Sequence, residues 1–149
     1  MAEIVYTLRD ATEDDYEFMY RVMAAVRTPD TAYDEAAERE KFAKSFELEG
    51  LHVIEYRGQD VGRVRFTLHD TIVYLNGIQI LPLFQSRGIG TAVLFDLTRQ
   101  AAYFHVDVVL EVHESNIGAQ RFYKKMGFRP YGRHSGDPSL ITMRCITKR

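Results

Sequence analysis

The chain has 149 residues, which is close to the commonest size of a single domain and long enough to bury one hydrophobic core. Hydrophobic residues make up 46% and charged residues 27% of it, and its formal net charge is only −2. That balance argues against a disordered chain and against nucleic acid as a partner. No apolar run approaches the ~20 residues of a membrane span, and the N-terminus lacks a signal peptide's apolar segment, so the sequence predicts a cytoplasmic protein without membrane attachment. The single cysteine, Cys145, has no partner for an internal disulfide and is interpreted as a buried filler.

The first third of the chain predicts one strand and two helices. The strand covers residues 4–9, and Thr12 followed by Asp15 resembles a capping box, which predicts a helix start. Pro29 ends the helical pattern within the loop TPDTAY, because proline removes a helical hydrogen bond. Asp34 then caps a second helix, DEAAEREKFAKSF, whose thin apolar side predicts a position at the surface.

Three strands are predicted next, joined by tight turns. LHVIEY and VGRVRFTL flank a hairpin turn at residues 57–60, and a second turn leads into TIVYLNGIQIL. Asn76-Gly77 is ordinarily a hairpin signal, but the run that follows it, IQIL, meets Pro82 after only four residues. We therefore predict one long strand that is bulged near Asn76-Gly77, and such a bulge would splay the strand and free main-chain groups.

The rest of the chain predicts two helices and three strands. The first helix has an apolar face formed by Gly90, Val93, Leu94, Leu97, Ala101 and Phe104. VDVVLEV predicts a strand, and Ser115 or Asn116 caps the last helix, after which two strands close the chain. The predicted order is βααβββαβαββ, a mixed α/β sheet that we expect to form a single domain over residues 1–149.

The segment QSRGIGTA, residues 85–92, lies between a predicted strand and a predicted helix. Bare main-chain N–H groups and the positive end of the helix dipole favour a bound anion there, particularly a phosphate. A loop whose glycines only permit a tight turn is the alternative. The segment lacks the Gly-Lys-Ser/Thr ending of a P-loop, and Val93 stands where the dinucleotide fingerprint has Gly or Ala.

Two motifs follow one another in the second half of the chain. The first is the pattern Gln/Arg-x-x-Gly-x-Gly/Ala, met by Gln85, Gly88 and Gly90 and preceded by the tripeptide ILP. The second, NIGAQRFYKKMGF, begins at Asn116, about 26 residues after Gly90. Together they resemble the GNAT superfamily of acetyl-CoA-dependent N-acetyltransferases, closely over residues 72–131. The resemblance implies a GNAT-like domain whose central strand is splayed to admit acetyl-CoA.

The resemblance also implies a set of cofactor-binding residues. Ile78, Gln79 and Ile80 would lie along the pantetheine arm, with Ile80 bonding it through its main chain. Gln85 would set the entry to the turn, and Asn116 matches a cofactor-contacting position. The residues that would hold the pyrophosphate on the turn are Ser86, Arg87, Gly88, Ile89, Gly90 and Thr91.

Tyr123 and Glu111 are the candidate catalytic residues. The resemblance implies that Tyr123 contacts the cofactor and, as general acid, donates a proton to the departing coenzyme A thiolate. Its spacing with Phe122 and Met126 alone would predict a core aromatic. Glu111 is the candidate general base, acting directly or through water, because LEVHESN followed by Tyr123 is similar to the Glu and Tyr pair in GNAT enzymes that acetylate the N-terminal amine of a ribosomal protein. The alternatives are a glutamate satisfied by Arg or Lys, and His113 as the base.

The segment that joins the first two helices, VRTPDTAYDEAAERE, is acidic, and in the family this segment shapes the acceptor site. A cationic amine or a basic peptide terminus is therefore the expected acceptor, and a solvated helix face is the alternative reading. The resemblance implies that acetyl passes from acetyl-CoA to a primary amine, either of a small molecule or of a peptide or protein N-terminus, by direct attack in a ternary complex.

Other chemistry finds little support in the sequence. No nucleophilic Cys or Ser with an adjacent base is evident, and the histidines show no metal-ligand spacing, so we expect neither an acetyl-enzyme nor a metal. A catalytically inactive acyl-CoA-binding or sensor module of the same fold is the alternative function, and an unrelated phosphate-ligand binder is a third. The sequence leaves open whether the chain forms a homodimer.

Overall fold

The computed structural model describes residues 3–27 and 34–147 of the chain. Its strands and helices have the following bounds: β1 (Thr7–Asp10), α1 (Tyr16–Val26), α2 (Glu35–Ser45), β2 (Leu51–Tyr56), β3 (Gln59–His69), β4 (Ile72–Ile80), α3 (Ile89–Tyr103), β5 (Asp107–His113), α4 (Ile117–Lys125), β6 (Arg129–Arg133) and β7 (Leu140–Cys145). The strands form one seven-stranded sheet in the order β1-β2-β3-β4-β5-β7-β6, and the predicted mixed α/β fold is confirmed. The predicted loop TPDTAY, residues 28–33, lies outside the described residues.

The chain divides into two compact units, which are described separately. The first comprises Met1–Arg65 and Ile78–Ile89, and the second comprises Phe66–Gly77 and Gly90–Arg149. No helix within residues 3–27 or 34–147 combines the length and the apolar character that crossing a membrane requires.

In the first unit, α1 packs against β2, which pairs antiparallel with both β1 and β3. The contact is formed by Met19, Leu51 and Val53, which are at most 3% exposed. The predicted capping box precedes α1: the side chain of Thr12 accepts a main-chain hydrogen bond, and the Asp15 carboxylate accepts from the N–H of Thr12 at 2.8 Å. The first strand starts three residues later than predicted, at residue 7.

Helix α2 also belongs to the first unit and begins as predicted. The Asp34 carboxylate accepts hydrogen bonds from the N–H groups of Ala36 and Ala37 at 3.0 and 3.3 Å. No residue of α2, all of which is described, is fully buried. Its main apolar contact is made by Phe42, whose ring meets that of Tyr16 edge to face. The prediction of a surface helix with a thin apolar side is therefore confirmed.

In the second unit, β5 is a deeply buried strand. Strand β5 pairs in parallel with β4 on one side and antiparallel with β7 on the other. Its consecutive residues Val108, Val109 and Leu110 are each at most 8% exposed, so side chains on both faces of the strand are buried. Strand β6 pairs antiparallel with β7. Burial on both faces explains why the sequence of β5 is a nearly continuous apolar run.

Three of the six residues predicted for the apolar face of α3 are buried, namely Val93, Leu94 and Ala101 at no more than 3% exposure, and Gly90 and Leu97 are partly buried. Phe104 is the exception, because it follows the end of α3 and is 69% exposed, so its assignment to this face is wrong. The main chain turns at His105, whose φ is +58°, and this turn ends the helical spacing on which the prediction relied.

The strand β4 runs without interruption from Ile72 to Ile80 and contains both Asn76 and Gly77. Neither of those two residues has a positive φ, so the hairpin that they signal is excluded and the predicted long strand is confirmed. The parallel pairing of β4 with β5 ends at the register pair Leu75 and Leu110, one residue before Asn76. The bulge near Asn76-Gly77 and a splay that admits a cofactor stay predictions.

Candidate functional site

The main-chain groups at the end of β4 point in alternating directions. The N–H of Leu81 donates to the carbonyl of Val61 on β3 at 2.8 Å. Because main-chain polar groups alternate sides along a strand, Ile78 and Ile80 present theirs away from β3. The carbonyl of Ile80 accepts a hydrogen bond from Nε2 of Gln85 at 2.9 Å. The structure thus joins two predicted cofactor-binding residues and leaves the N–H groups of Ile78 and Ile80 directed away from β3.

Gly62 on β3 allows this part of β4 to approach closely. A Cβ atom at Gly62 would lie 2.4 Å from the carbonyl oxygen of Gln79 and 3.1 Å from Cα of Ile80. No real Cβ atom tolerates the first of these distances against a main-chain atom. Gly62 was not predicted from the sequence, although a lone glycine inside a strand pattern is the usual sign of a close main-chain approach.

The glycine-rich turn carries two residues in the left-handed region. Ser86 has a φ of +63° and Gly88 a φ of +85°. A Cβ atom at Gly88 would meet only Ile4, at an ordinary 3.6 Å, so conformation rather than space requires glycine there. Residues 85–88 are exposed, and α3 begins directly after them at Ile89. The turn therefore offers solvent-reachable main-chain N–H groups at the positive end of a helix, which suits an anion.

Tyr123 on α4 fits both interpretations that the sequence left open, a packed core aromatic and a proton donor. Its ring packs between Phe122 and Phe128, with centroids 5.3 and 5.7 Å away, and burial raises the pKa of its hydroxyl to about 12. Within residues 3–27 and 34–147, that hydroxyl has no hydrogen-bond partner, and no fully buried side-chain oxygen or nitrogen lacks one. The Tyr123 hydroxyl therefore reaches solvent and stays protonated at neutral pH.

Glu111 on β5 faces two donors, neither of them an Arg or a Lys. The hydroxyl of Tyr74 on β4 donates to Oε1 of Glu111, and Nε2 of His134 lies 3.8 Å from Oε2. Nδ1 of His134 accepts hydrogen bonds from the N–H groups of Gly136 and Asp137, both at 3.0 Å, so in the neutral ring the proton is on Nε2 and faces Glu111. Burial, followed by the hydrogen bond to Glu111, raises the pKa of Tyr74.

Tyr74 and His134 were not found from the sequence. Tyr74 on β4 pairs in register with Val109 on the parallel strand β5. The residue that its hydroxyl contacts, Glu111, lies two positions further along β5. Predicting that contact requires the register of β4 and β5, which the sequence pattern did not supply. His134 lies between β6 and β7, and nothing in its surrounding residues signals a contact with a strand so distant in the chain.

The other candidate residues, His113 and Asn116, form hydrogen bonds with residues that are near them in the chain. Nδ1 of His113 lies 2.7 Å from Oγ of Ser115. Asn116, rather than Ser115, caps α4, because its side-chain oxygen accepts from the N–H of Ala119 at 3.1 Å. Among the residues that the structure describes, no group of three His, Cys, Asp or Glu side chains is arranged to hold a metal ion.

Comparison with known proteins identifies the chain as an acyltransferase domain. The model described as the acetyltransferase (GNAT) family matches residues 6–128. The chain therefore belongs to the GNAT acetyltransferase family, as the two sequence motifs predicted. No curated protein sequence matches it significantly.

Solved structures share its fold. Ard1 from Thermoplasma volcanium has a TM-score of 0.69 and 23% identity, covering 97% of this chain and 99% of that chain. The ribosomal-protein-S18-alanine N-acetyltransferase from Escherichia coli has a TM-score of 0.68 and 19% identity, covering 97% and 96%. The PaiA N-acetyltransferase from Thermoplasma acidophilum, solved in complex with coenzyme A, has a TM-score of 0.72 and 16% identity, covering 98% and 100%. Identities this low establish the fold alone.

Proposed function

We propose that this chain is an N-acetyltransferase that moves an acetyl group from acetyl-CoA to a primary amine by direct attack in a ternary complex. One observation carries the proposal: the end of β4 directs the N–H groups of Ile78 and Ile80 away from β3, and Gln85 ties this segment to an exposed glycine-rich turn at the start of α3. A strand edge suits the amides of a pantetheine arm, and the turn suits a pyrophosphate.

The cofactor would be held mainly by main-chain groups. We assign Ile78, Gln79 and Ile80 to the pantetheine arm, and Gln85 to the support of Ile80. The pyrophosphate would be bound by Ser86, Arg87, Gly88, Ile89, Gly90 and Thr91. Asn116 would contact the cofactor through the amide nitrogen of its side chain, since its oxygen caps α4. No step of the proposed reaction requires a metal.

Tyr123 would act on the leaving group. When the amine attacks the thioester carbon, the new C–N bond forms and the C–S bond breaks, which leaves a thiolate. The pKa of Tyr123 is about 12, whereas a thiol such as cysteine titrates near ~8.5. Proton transfer to the thiolate is therefore uphill, so the Tyr123 hydroxyl first stabilises the developing thiolate through a hydrogen bond. Its proton passes to the sulfur as coenzyme A leaves, and solvent then returns a proton to the tyrosinate.

Glu111 would take the proton from the amine, directly or through a water. A lysine-type amine is neutral in only about one molecule in 2,500 at pH 7, so a base is needed most for such acceptors. Tyr74 donates to one oxygen of Glu111 and His134 faces the other, and this fixes the carboxylate while lone pairs remain for a proton. His113 is the alternative base, although its Nδ1 is engaged by Ser115.

The relatives support an amine acceptor and coenzyme A as the cofactor. One is named for the alanine of a ribosomal protein, and another was solved with coenzyme A. We propose that residues 1–149 act together as one domain. A cytoplasmic location fits a chain whose single cysteine cannot form an internal disulfide.

Calorimetry with acetyl-CoA, followed by thiol release with a panel of amines and peptide N-termini, tests the proposal. Tyr123→Phe should lower kcat by about 100-fold and leave acetyl-CoA affinity nearly unchanged. Tyr103→Phe is the matched control, because Tyr103 is 79% exposed at the end of α3. A wild-type rate in Tyr123→Phe would remove Tyr123 from the mechanism.

Two further results would separate the alternatives. Glu111→Gln should displace the pH–rate profile, and an unchanged profile would eliminate Glu111 as the base and favour His113. Saturable acetyl-CoA binding without turnover of any amine would favour the inactive acyl-CoA-binding module. The absence of saturable binding would overturn both readings.

A further inference from the structure

Arg63 on β3 is a partly buried cation without an anion. Its Nη1 donates to Oε1 of Gln79 at 2.9 Å and lies 3.1 Å from Sδ of Met23 on α1. Among the residues that the structure describes, no carboxylate forms an ion pair with Arg63. Burial lowers the pKa of Arg63 to about 10, and the positive charge of Arg65 adds to this, so the cation persists at neutral pH without an opposite charge to stabilise it.

Arg65, the neighbouring arginine on the same face of β3, does have a carboxylate partner. Nη2 of Arg65 lies 3.0 Å from a carboxylate oxygen of Glu47, and its Nε donates to the carbonyl of Glu49 at 2.8 Å. Arg9 on β1 has oxygens of both Asp15 and Asp60 within 3.1 Å of its Nη2. Among the described residues of this unit, carboxylates thus pair with Arg9 and Arg65 but not with Arg63.

The unused donors of Arg63 form one edge of its guanidinium. A guanidinium carries five N–H donors, and the bonds to Gln79 and Met23 use only Nη1. Within the described parts of the chain, every fully buried side-chain nitrogen has a hydrogen-bond partner, so Nε and Nη2 of Arg63 are reached by solvent. These two nitrogens are the pair that binds a carboxylate with two parallel hydrogen bonds.

We propose that Arg63 binds the carboxylate of the acceptor, so that the acceptor carries an amine and a carboxylate in one small molecule, as a free amino acid does. This inference rests on the proposed function, because Gln79, which holds Arg63, belongs to the segment assigned to the pantetheine arm. An amine bound beside that arm would place its own carboxylate within reach of Arg63. A peptide N-terminus lacks that carboxylate, so the inference favours free amino acids over peptides.

The test compares standard L-amino acids with their carboxamides, which keep the amine and the side chain but replace the carboxylate by a neutral group. We expect wild-type kcat/KM to be at least 10-fold higher for the amino acid than for its carboxamide. The amine of a carboxamide is less basic and more often neutral, so intrinsic reactivity works against this preference. Arg63→Met and Arg63→Lys should both lose most of it, since Met lacks the charge and Lys lacks the paired donors.

Arg65→Met is the matched control and should retain the preference. Acetyl-CoA affinity, measured by calorimetry, should be unchanged in Arg63→Met, and a 10-fold loss there would assign Arg63 to a cofactor phosphate instead. Equal use of acids and carboxamides by the wild type, the same preference in both Arg63 variants, or turnover only of acceptors without a carboxylate would each overturn the inference. If the wild type binds no acetyl-CoA, it is the proposed function that fails.

Discussion

A buried carboxylate in one unit forms an ion pair, whereas a partly buried guanidinium in the other forms none with the residues that the structure describes. Asp107 on β5 is 4% exposed, and its oxygens accept hydrogen bonds from Nε of Arg144 at 2.9 Å and from the N–H of Thr147 at 3.1 Å. Within the described parts of the chain, the Arg63 guanidinium bonds to an amide oxygen and a thioether sulfur and forms no ion pair. The first charge is neutralised by the chain itself, whereas the second is not.

The difference indicates that the Asp107 charge contributes to fold stability and the Arg63 charge to binding an anion. A buried pair supplied by the chain becomes necessary to the fold, because removing one partner leaves the other charge buried and uncompensated. A desolvated charge without a partner costs stability in every folded molecule, and a bound anion would offset that cost. Such exceptions to local consistency are expected at functional sites.

Removing Asp107 should give the largest effect. Asp107→Ala leaves the Arg144 guanidinium, whose side chain is 29% exposed, without its carboxylate, and should lower the free energy of unfolding by about 3 kcal/mol. Urea unfolding followed by circular dichroism measures it. The double variant with Arg144→Met should recover part of the loss, and a cost equal to the sum of the single variants would argue against the pairing.

Gly62→Ala should have the next largest effect, because it adds an atom 2.4 Å from the carbonyl oxygen of Gln79. Overpacking of this kind costs about 2 kcal/mol, and here β4 would shift in the segment assigned to the cofactor. Urea unfolding and acetyl-CoA calorimetry should therefore both report a loss. Gly118→Ala is the control, since a Cβ atom there meets nothing within 4 Å. Unchanged acetyl-CoA affinity in Gly62→Ala would separate this segment from cofactor binding.

Arg63→Met should not lower the free energy of unfolding, in contrast to Asp107→Ala. Because no carboxylate among the described residues pairs with Arg63, its removal should keep the free energy of unfolding constant or raise it by up to about 1 kcal/mol. The same urea titration measures this change. A loss of 2 kcal/mol or more would show that the contacts with Met23 and Gln79 outweigh the cost of burying the charge, and the comparison with Asp107 would fail.

The pair of Arg9 and Asp15 should give the smallest effect, visible only in acid. The hydrogen bonds from Arg9 hold the pKa of Asp15 below its ordinary value, so the pair stabilises the fold above an unfolded-state pKa of about 3.9, and this contribution is lost as the pH falls through the folded value. Because the Arg9 side chain is 36% exposed, we expect at most about 1 kcal/mol. Asp15→Asn should flatten the dependence of stability on pH below about 4, and an unchanged slope would exclude this pair as its source.

The features that sequence predicted well are local. The Thr12 capping box, the long β4 strand and the glycine-rich turn each depend on residues within a few positions of one another, where propensity and hydrogen bonding act directly. Membership of the GNAT family followed from two motifs for the same reason. Phe104 shows the limit of such reasoning, because the periodicity continued for one residue after the helix had ended.

The side-chain contacts of the site depend on register, and so they could not be predicted. Tyr74 meets Glu111 only because of the pairing between β4 and β5, and Arg63 meets Gln79 only because β3 and β4 are neighbours in one particular alignment. A shift of one residue would reverse the face of each side chain. The position of His134 depends in addition on the turn that follows it, in which the N–H groups of Gly136 and Asp137 donate to its Nδ1.

Gln85 has a consequence for aggregation as well as for binding. Where a strand lacks a neighbour, its alternating N–H and carbonyl groups form a template on which a foreign strand can add. Gln85 occupies the carbonyl of Ile80 and thereby interrupts that alternation at the end of β4. A short ligand that needs donors can still bind there, whereas an incoming strand would find one of its acceptors already taken. One glutamine amide can therefore hinder the addition of a foreign strand while leaving the N–H groups that we assign to the cofactor unoccupied.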